Sequence, residues 1–202
     1  MRSRVEHQPE EGAPLRAGVN LVATALLIIA LLSIAVGGLA TRLGPRWAQR
    51  LFFRAPAGIV IHHSASPAVV EGKTVNIQLI EEWHAQRGFS SEYRGHDYHV
   101  GYHYVILPDG KVERGRPEWM QGAHTRGYND YLGICLVGNF DPESNPGCVQ
   151  QPCRPTQAQL DALVKLLRDL ITKYHLRVSD IHRHSDLGCT ACPGDRFPME
   201  EV

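Results

Sequence analysis

Between Arg16 and Arg42 the chain carries no charged side chain, and Leu21 to Ala40 reads LVATALLIIALLSIAVGGLA. Twenty such residues as a helix rise about 30 Å, the thickness of a bilayer core. A helix packed in a protein core shows a polar face, whereas this stretch offers only Thr24 and Ser33. The chain is therefore expected to divide into a tail at 1–20, a transmembrane segment at 21–41, a basic juxtamembrane linker at 42–57 and a folded domain at 58–202. Two readings stand for 21–41: an uncleaved anchor, or a signal segment removed near Gly38 and Ala40. The apolar run exceeds the usual signal length of about 7–15 residues, which favours the anchor. Arg2, Arg4 and Arg16 precede it and Arg42, Arg46, Arg50 and Arg54 follow it, so the basic residues do not settle its orientation. The four that follow are interleaved with Trp47, Leu51, Phe52 and Phe53, a pattern that suits either an amphipathic helix on anionic headgroups or a solvated linker.

That division explains the charge. The 21 basic and 21 acidic residues cancel, but residues 1–57 hold seven Arg against three Glu and residues 58–202 hold 14 basic against 18 acidic groups. The average describes neither part. Neutrality with an acidic domain excludes a partner bound through a phosphate backbone, since displacing counterions takes a basic excess; the positive arm points to lipid headgroups instead. An apolar content of 43% without a glycine period excludes a disordered or collagen-like chain. Ten of the 11 His lie after residue 61, so the chemistry belongs to the second part.

Within 58–202, Gly58-Ile59-Val60-Ile61 reads as a buried strand closed by His62-His63-Ser64. Residues 75–87 place Ile77, Ile80, Trp83 and His84 at helical spacing. Residues 99–107 and 111–116 flank Pro108-Asp109-Gly110, a hairpin signal. Residues 133–139 form a further apolar run, and 141–155 read as a polar loop. Thr156 with Gln159 forms a capping-box pair ahead of a stripe of Leu160, Leu163, Leu167, Leu170, Ile171 and Tyr174. Strands interspersed with two helices predict an α/β fold, a mixed central β-sheet flanked by helices.

The C-terminal stretch IHRHSDLGCTACPGDRFP sets His184 and Cys192 eight residues apart. Imidazole nitrogen and thiolate sulfur are favoured zinc ligands, and a catalytic zinc takes three protein ligands and leaves one position open. His62, at the end of a buried strand, is well placed as the third. His96, His99 and His103 alternate along an extended segment and read as surface groups or groups behind the site. Cys148 and Cys153 bracket four loop residues, which suits a local disulfide in an oxidising compartment. The rivals are a structural zinc held with Cys189 and Cys192 and, more weakly, a redox CxxC. Cys135, in an apolar strand, reads as a small hydrophobe.

Six pieces, IVIHHSAS at 59–66, WHAQRGF at 83–89, VGYHYVILPDGKVERGRP at 100–117, GAHTRGYN at 122–129, GICLVGNF at 133–140 and HSDLGCTACPG at 184–194, give the chain its resemblance to the zinc-dependent N-acetylmuramoyl-L-alanine amidases shared by phage lysis enzymes and peptidoglycan recognition proteins. The resemblance implies Zn2+ held by His62, His184 and Cys192, with His63 turned to the opposite side of its strand. It implies that Tyr102 faces the water to be activated. Thr190 stands where some phage members carry lysine and recognition proteins often carry threonine, and Cys192 where the cytoplasmic recycling members use aspartate. Tyr102 and Thr190 are accordingly expected to be catalytic, and His124 and Asn129 to bind substrate or line its groove, although loop chemistry accounts for Asn129 as well. The implied activity is hydrolysis of the amide between N-acetylmuramic acid and L-alanine; with the apolar segment as anchor, the chain is expected to be a monomer tethered at the membrane, its domain facing the periplasm or cell exterior, and secreted if the segment is cleaved. The alternatives are a non-catalytic peptidoglycan-binding module and a structural membrane protein that retains the fold.

Overall fold

The computed structural model describes residues 55–202 apart from Arg94. The expected membrane segment at 21–41 and nearly all of the linker lie outside the described residues. Among those described, no helix is long and apolar enough to cross a membrane. The chain divides into two units, Met1–Gly44 and Pro45–Val202, and every element named below belongs to the second.

Strand β1 is Ile59–His63; two short antiparallel pairs follow, β2 (Val69–Val70) with β3 (Lys73–Thr74) and β4 (Glu92–Tyr93) with β5 (His96–Asp97). Helix α1, Ile77–Gln86, lies between the pairs, and β6 is Tyr104–Ile106, β7 Val112–Arg114 and β8 Leu132–Leu136. Helix α2 is Gln157–Tyr174, and β9, Ile181–Arg183, runs directly into the one-turn helix α3, His184–Leu187. The main sheet has the order β7-β6-β8-β1-β9. β1 pairs in parallel with β8 and β9, β6 in parallel with β8, and β7 antiparallel to β6 through the expected hairpin. The sheet is mixed, as the alternation of elements predicts.

Both faces of the sheet are covered, which is why its central strands read as unbroken apolar runs. Ile59 and Ile61 of β1, Leu132, Ile134 and Leu136 of β8, and Tyr104 and Ile106 of β6 pack with Leu163, Leu167 and Leu170 of α2. The alternate residues Cys135 and Val105 join Val75, Val100, and Ile77 and Ile80 of α1 on the other face. Asn76 caps α1, its Oδ1 accepting the Leu79 N–H at 3.0 Å. At the start of α2 the expected capping box is present: Thr156 Oγ1 accepts the Gln159 N–H and Gln159 Oε1 accepts the Thr156 N–H, each at 3.1 Å. Gln159 is fully buried, and its Nε2 also donates to the carbonyls of Ile106 and Val137, fastening the helix to the ends of two strands.

Two buried histidines are bound into this frame. His84 Nδ1 accepts the Gly101 N–H at 2.9 Å. His103 accepts the Gly133 N–H at Nδ1 and donates from Nε2 to the Met120 carbonyl, so it is an interior group rather than a surface one. Burial lowers the pKa of each to about 4. Above the unfolded histidine value of about 6.5 both states are neutral and these rings add no pH dependence. Below it the unfolded chain takes up protons that the folded chain refuses, so stability falls with falling pH until about 4. Urea unfolding of the metal-free chain is expected to show a loss of about 2–3 kcal/mol per ring across that window. His103→Gln should flatten the pH slope even though it lowers stability at pH 7, and an unchanged slope would count against this assignment.

Candidate active site

Parallel pairing sets the C-terminal ends of β1 and β9 side by side, where side chains of an open α/β sheet converge on a crevice. The last residues paired are Ile61 and Arg183, so His62 and His184 emerge next to each other, their ring centroids 4.6 Å apart. Strand alternation sends His62 to the α1 face, and His63 to the α2 side, where it packs on Phe140 and accepts that residue's N–H at Nδ1. Cys192 arrives on the turn after α3. Ser185 N–H donates to the Cys192 carbonyl at 2.8 Å, and His63 N–H to Cys192 Sγ at 3.4 Å. Gly194 lets this turn lie against the chain: its φ is +96°, and a Cβ there would meet the Phe140 backbone at 2.4 Å.

His62, His184 and Cys192 thus offer three ligand atoms within 4.8 Å of one another, the one such group among the described residues. His62 Nδ1 lies 3.6 Å from Cys192 Sγ. A tetrahedral ion with S and N ligands at about 2.3 and 2.1 Å would hold them roughly 3.6 Å apart. Two imidazoles and a thiol, with no carboxylate, make a donor set that suits zinc. Burial keeps His62 well below the ordinary histidine range and also lowers His184, so both rings present lone pairs at neutral pH. Burial pushes the Cys192 thiol up to about 12.

The group lies in a cleft of about 450 Å³. Tyr102, half-buried, stands with its ring 5.2 Å from that of His62 and 5.4 Å from that of His84. Burial, and after it the neighbouring Cys135 and Cys192, raises its phenol well above 10, which leaves it a neutral O–H donor. Thr190 lines the cleft, and its Oγ1 accepts the Cys192 N–H at 3.2 Å. His124 lines it too, but both of its ring nitrogens are engaged, Nδ1 with His62 and Thr125 and Nε2 with the Tyr131 carbonyl. Asn129 lies behind the cleft wall: its Oδ1 accepts the N–H groups of His124 and Thr125, each at 3.0 Å, and closes their turn.

Sequence reasoning assigned no groove role to His63, Arg87, Phe89, Asp141 or Ser144, all of which line the cleft. Arg87 and Phe89 follow α1 directly, with the guanidinium 5.0 Å from the ring centroid. Asp141 and Ser144 begin the polar loop, where the only sequence signal was turn chemistry. In that loop Cys148 and Cys153 are joined in a disulfide, which removes the structural-zinc reading of the four cysteines. Cys135 and Cys192 are free, as is the exposed Cys189.

The pattern of the N-acetylmuramoyl-L-alanine amidases, the Amidase_2 domain, matches residues 52–195. The endolysin of Klebsiella phage KP32 is 36% identical over 136 residues, 67% of this chain and 78% of its own; that of Escherichia phage T7 is 34% identical over the same length and shares. Among solved structures, the N-acetylmuramoyl-L-alanine amidase LysC from Clostridium intestinale is 36% identical with a TM-score of 0.57, the match covering 73% of this chain and 82% of that one. A mutant of the Drosophila peptidoglycan recognition protein PGRP-LB, solved in complex with tracheal cytotoxin, is 26% identical with a TM-score of 0.55 over 72% of this chain and 79% of that one. With the whole five-stranded sheet, both long helices and the three-ligand cluster inside the matched range, the chain belongs to the N-acetylmuramoyl-L-alanine amidase family.

Proposed function

We propose that this chain is a zinc-dependent amidase that cuts the bond between the lactyl group of N-acetylmuramic acid and the L-alanine of the stem peptide. The observation that carries the reading is the three-ligand cluster of His62, His184 and Cys192 opening onto a cleft beside Tyr102. When bound, zinc supplies Lewis acidity and lowers the pKa of water to about 7. Tyr102 donates its O–H to the oxygen that gains charge as the amide is attacked, and a neutral donor in a half-buried cleft is worth more there than in water. Thr190 anchors the turn bearing Cys192 and brings a second hydroxyl to the cleft. It carries no positive charge, so the side chains at the cluster offer the developing anion the Tyr102 hydrogen bond, and any neutralising charge would come from zinc held by His62, His184 and Cys192.

The domain acts outside the cytoplasm in this reading, with residues 21–41 as its anchor. The Cys148–Cys153 disulfide supports an oxidising compartment, and the charge-free apolar run supports the anchor.

Purified cell wall incubated with the full chain should release new L-alanine amino termini, and a chelator should abolish the release. A metal-loaded chain that binds muropeptide without releasing amino termini would identify a recognition module instead. Cys192→Ser should lose stoichiometric zinc; a variant that keeps it refutes the ligand assignment. Tyr102→Phe is expected to retain zinc while kcat drops roughly 10²- to 10³-fold, the usual cost of one oxyanion donor. N-terminal sequencing of the mature protein tests the anchor, because a start beyond Ala40 shows that the segment has been removed.

A further inference from the structure

His124 contacts the cluster without belonging to it, and its surroundings dictate where its proton sits. Its Nε2 lies 3.0 Å from the Tyr131 carbonyl oxygen. A carbonyl only accepts, so Nε2 carries hydrogen, and in the neutral ring Nδ1 is left with a lone pair. His62 Nε2 lies 3.1 Å from that Nδ1. Two lone pairs do not face each other at this distance, so the hydrogen is on His62 Nε2. Thr125 Oγ1, 3.0 Å from His124 Nδ1 and 3.4 Å from His62 Nε2, accommodates the same arrangement, donating to the first and accepting from the second. His62 is then unprotonated at Nδ1, the atom 3.6 Å from Cys192 Sγ.

We propose that His124 is a positioning residue: it accepts the Nε2 proton of His62 and so orients that ring, with its Nδ1 lone pair directed at the position between His184 and Cys192. The chain of contacts runs from the Tyr131 carbonyl through His124 to His62, and it rests on the zinc reading above for its purpose. Its parts are built to hold still. Asn129 closes the turn that carries His124 and Thr125, and the His103 ring packs edge-on against His124 with centroids 5.8 Å apart. Gly133 of β8 supplies the space, since a Cβ there would lie 2.5 Å from the His124 ring. Groups that hydrogen-bond the outer nitrogen of a liganding histidine fix its tautomer and ring orientation and raise its basicity, and losing one typically costs 10- to 100-fold in metal affinity.

The experiment uses the full chain and two readouts besides turnover. In the metal-free protein, a scalar coupling across the hydrogen bond between His62 Nε2 and His124 Nδ1 should be visible by nitrogen NMR, with the proton on His62. This measurement is made on the unaltered sequence and depends on no variant folding. Zinc affinity by chelator competition should fall at least tenfold in His124→Ala. It should stay within about threefold in His124→Asn, whose amide oxygen can accept at the same place, a rescue that a purely space-filling role would not give. A His62 proton on Nδ1, or unchanged zinc affinity in His124→Ala, overturns the proposal. A chain that shows the coupling but takes up no zinc overturns the metal reading, and the positioning role falls with it. A chain that binds zinc equally well without His124 overturns the positioning role alone.

Discussion

β1 is paired along both edges and buried on both faces, and its two-residue period governs the rest of the molecule. Ile59 and Ile61 must enter the core under α2, which places Val60 and His62 on the other face. A slip of one residue would bury the imidazole among leucines and turn both isoleucines to the α1 face. Register is therefore enforced by several buried apolar side chains at once, each contributing about 1.5–3 kcal/mol, and the position of His62 follows from a core that has no chemical role itself. Because β9 runs parallel to β1, the same constraint sets where His184 leaves the sheet.

Burial that positions the ligands also sets their charge. The cleft keeps His62 and His184 neutral, as ligation needs, but the same dry surroundings oppose ionisation of Cys192, whose thiol is pushed up to about 12. The metal-free cluster is thus electrically neutral at pH 7, and no buried charge waits unpaired. A cation that binds must displace the thiol proton, so loading is coupled to proton release and weakens as pH falls. The His63 N–H aimed at Cys192 Sγ partly offsets the cost by stabilising the thiolate.

Periodicity reveals the frame of this fold because the frame is built from repeated apolar side chains. The stripe from Leu160 to Tyr174 shows α2, and the runs at 58–61 and 133–139 show the two inner strands, found at 59–63 and 132–136. The hairpin at Pro108-Asp109-Gly110 was legible from its turn residues. The pairs β2–β3 and β4–β5 were not, since two residues per strand, nearly all exposed, leave no pattern. Gln159 read as a helix cap, and its second task of bonding two strand-end carbonyls depends on contacts 53 and 22 residues away. His103 read as a surface group or a group behind the site, and the structure selects the second: its ring fills an interior place between Met120 and Gly133 and packs on His124. His62 was legible as a residue type at the end of a strand, and His184 and Cys192 as ligand types in the C-terminal stretch; that they meet is a consequence of strand register, which no local pattern carries.

Glycine in the middle of a buried strand is ordinarily a cost, because it weakens the strand and packs nothing. Gly133 sits on β8 between Leu132 and Ile134, both fully buried, where a larger apolar residue would add to the core. Its face, however, is the one occupied by His124, and the Gly133 N–H is at the same time held by His103. The missing side chain is the room for one imidazole and the buried backbone N–H is the donor for another. A strand position that lowers local stability thereby organises two histidines behind the cluster, one against the other. Asn129 does the corresponding work from the loop side, using a single oxygen to hold two backbone N–H groups. The one position of β8 without a side chain and an ordinary-looking residue of the preceding turn are both explained by the same ring.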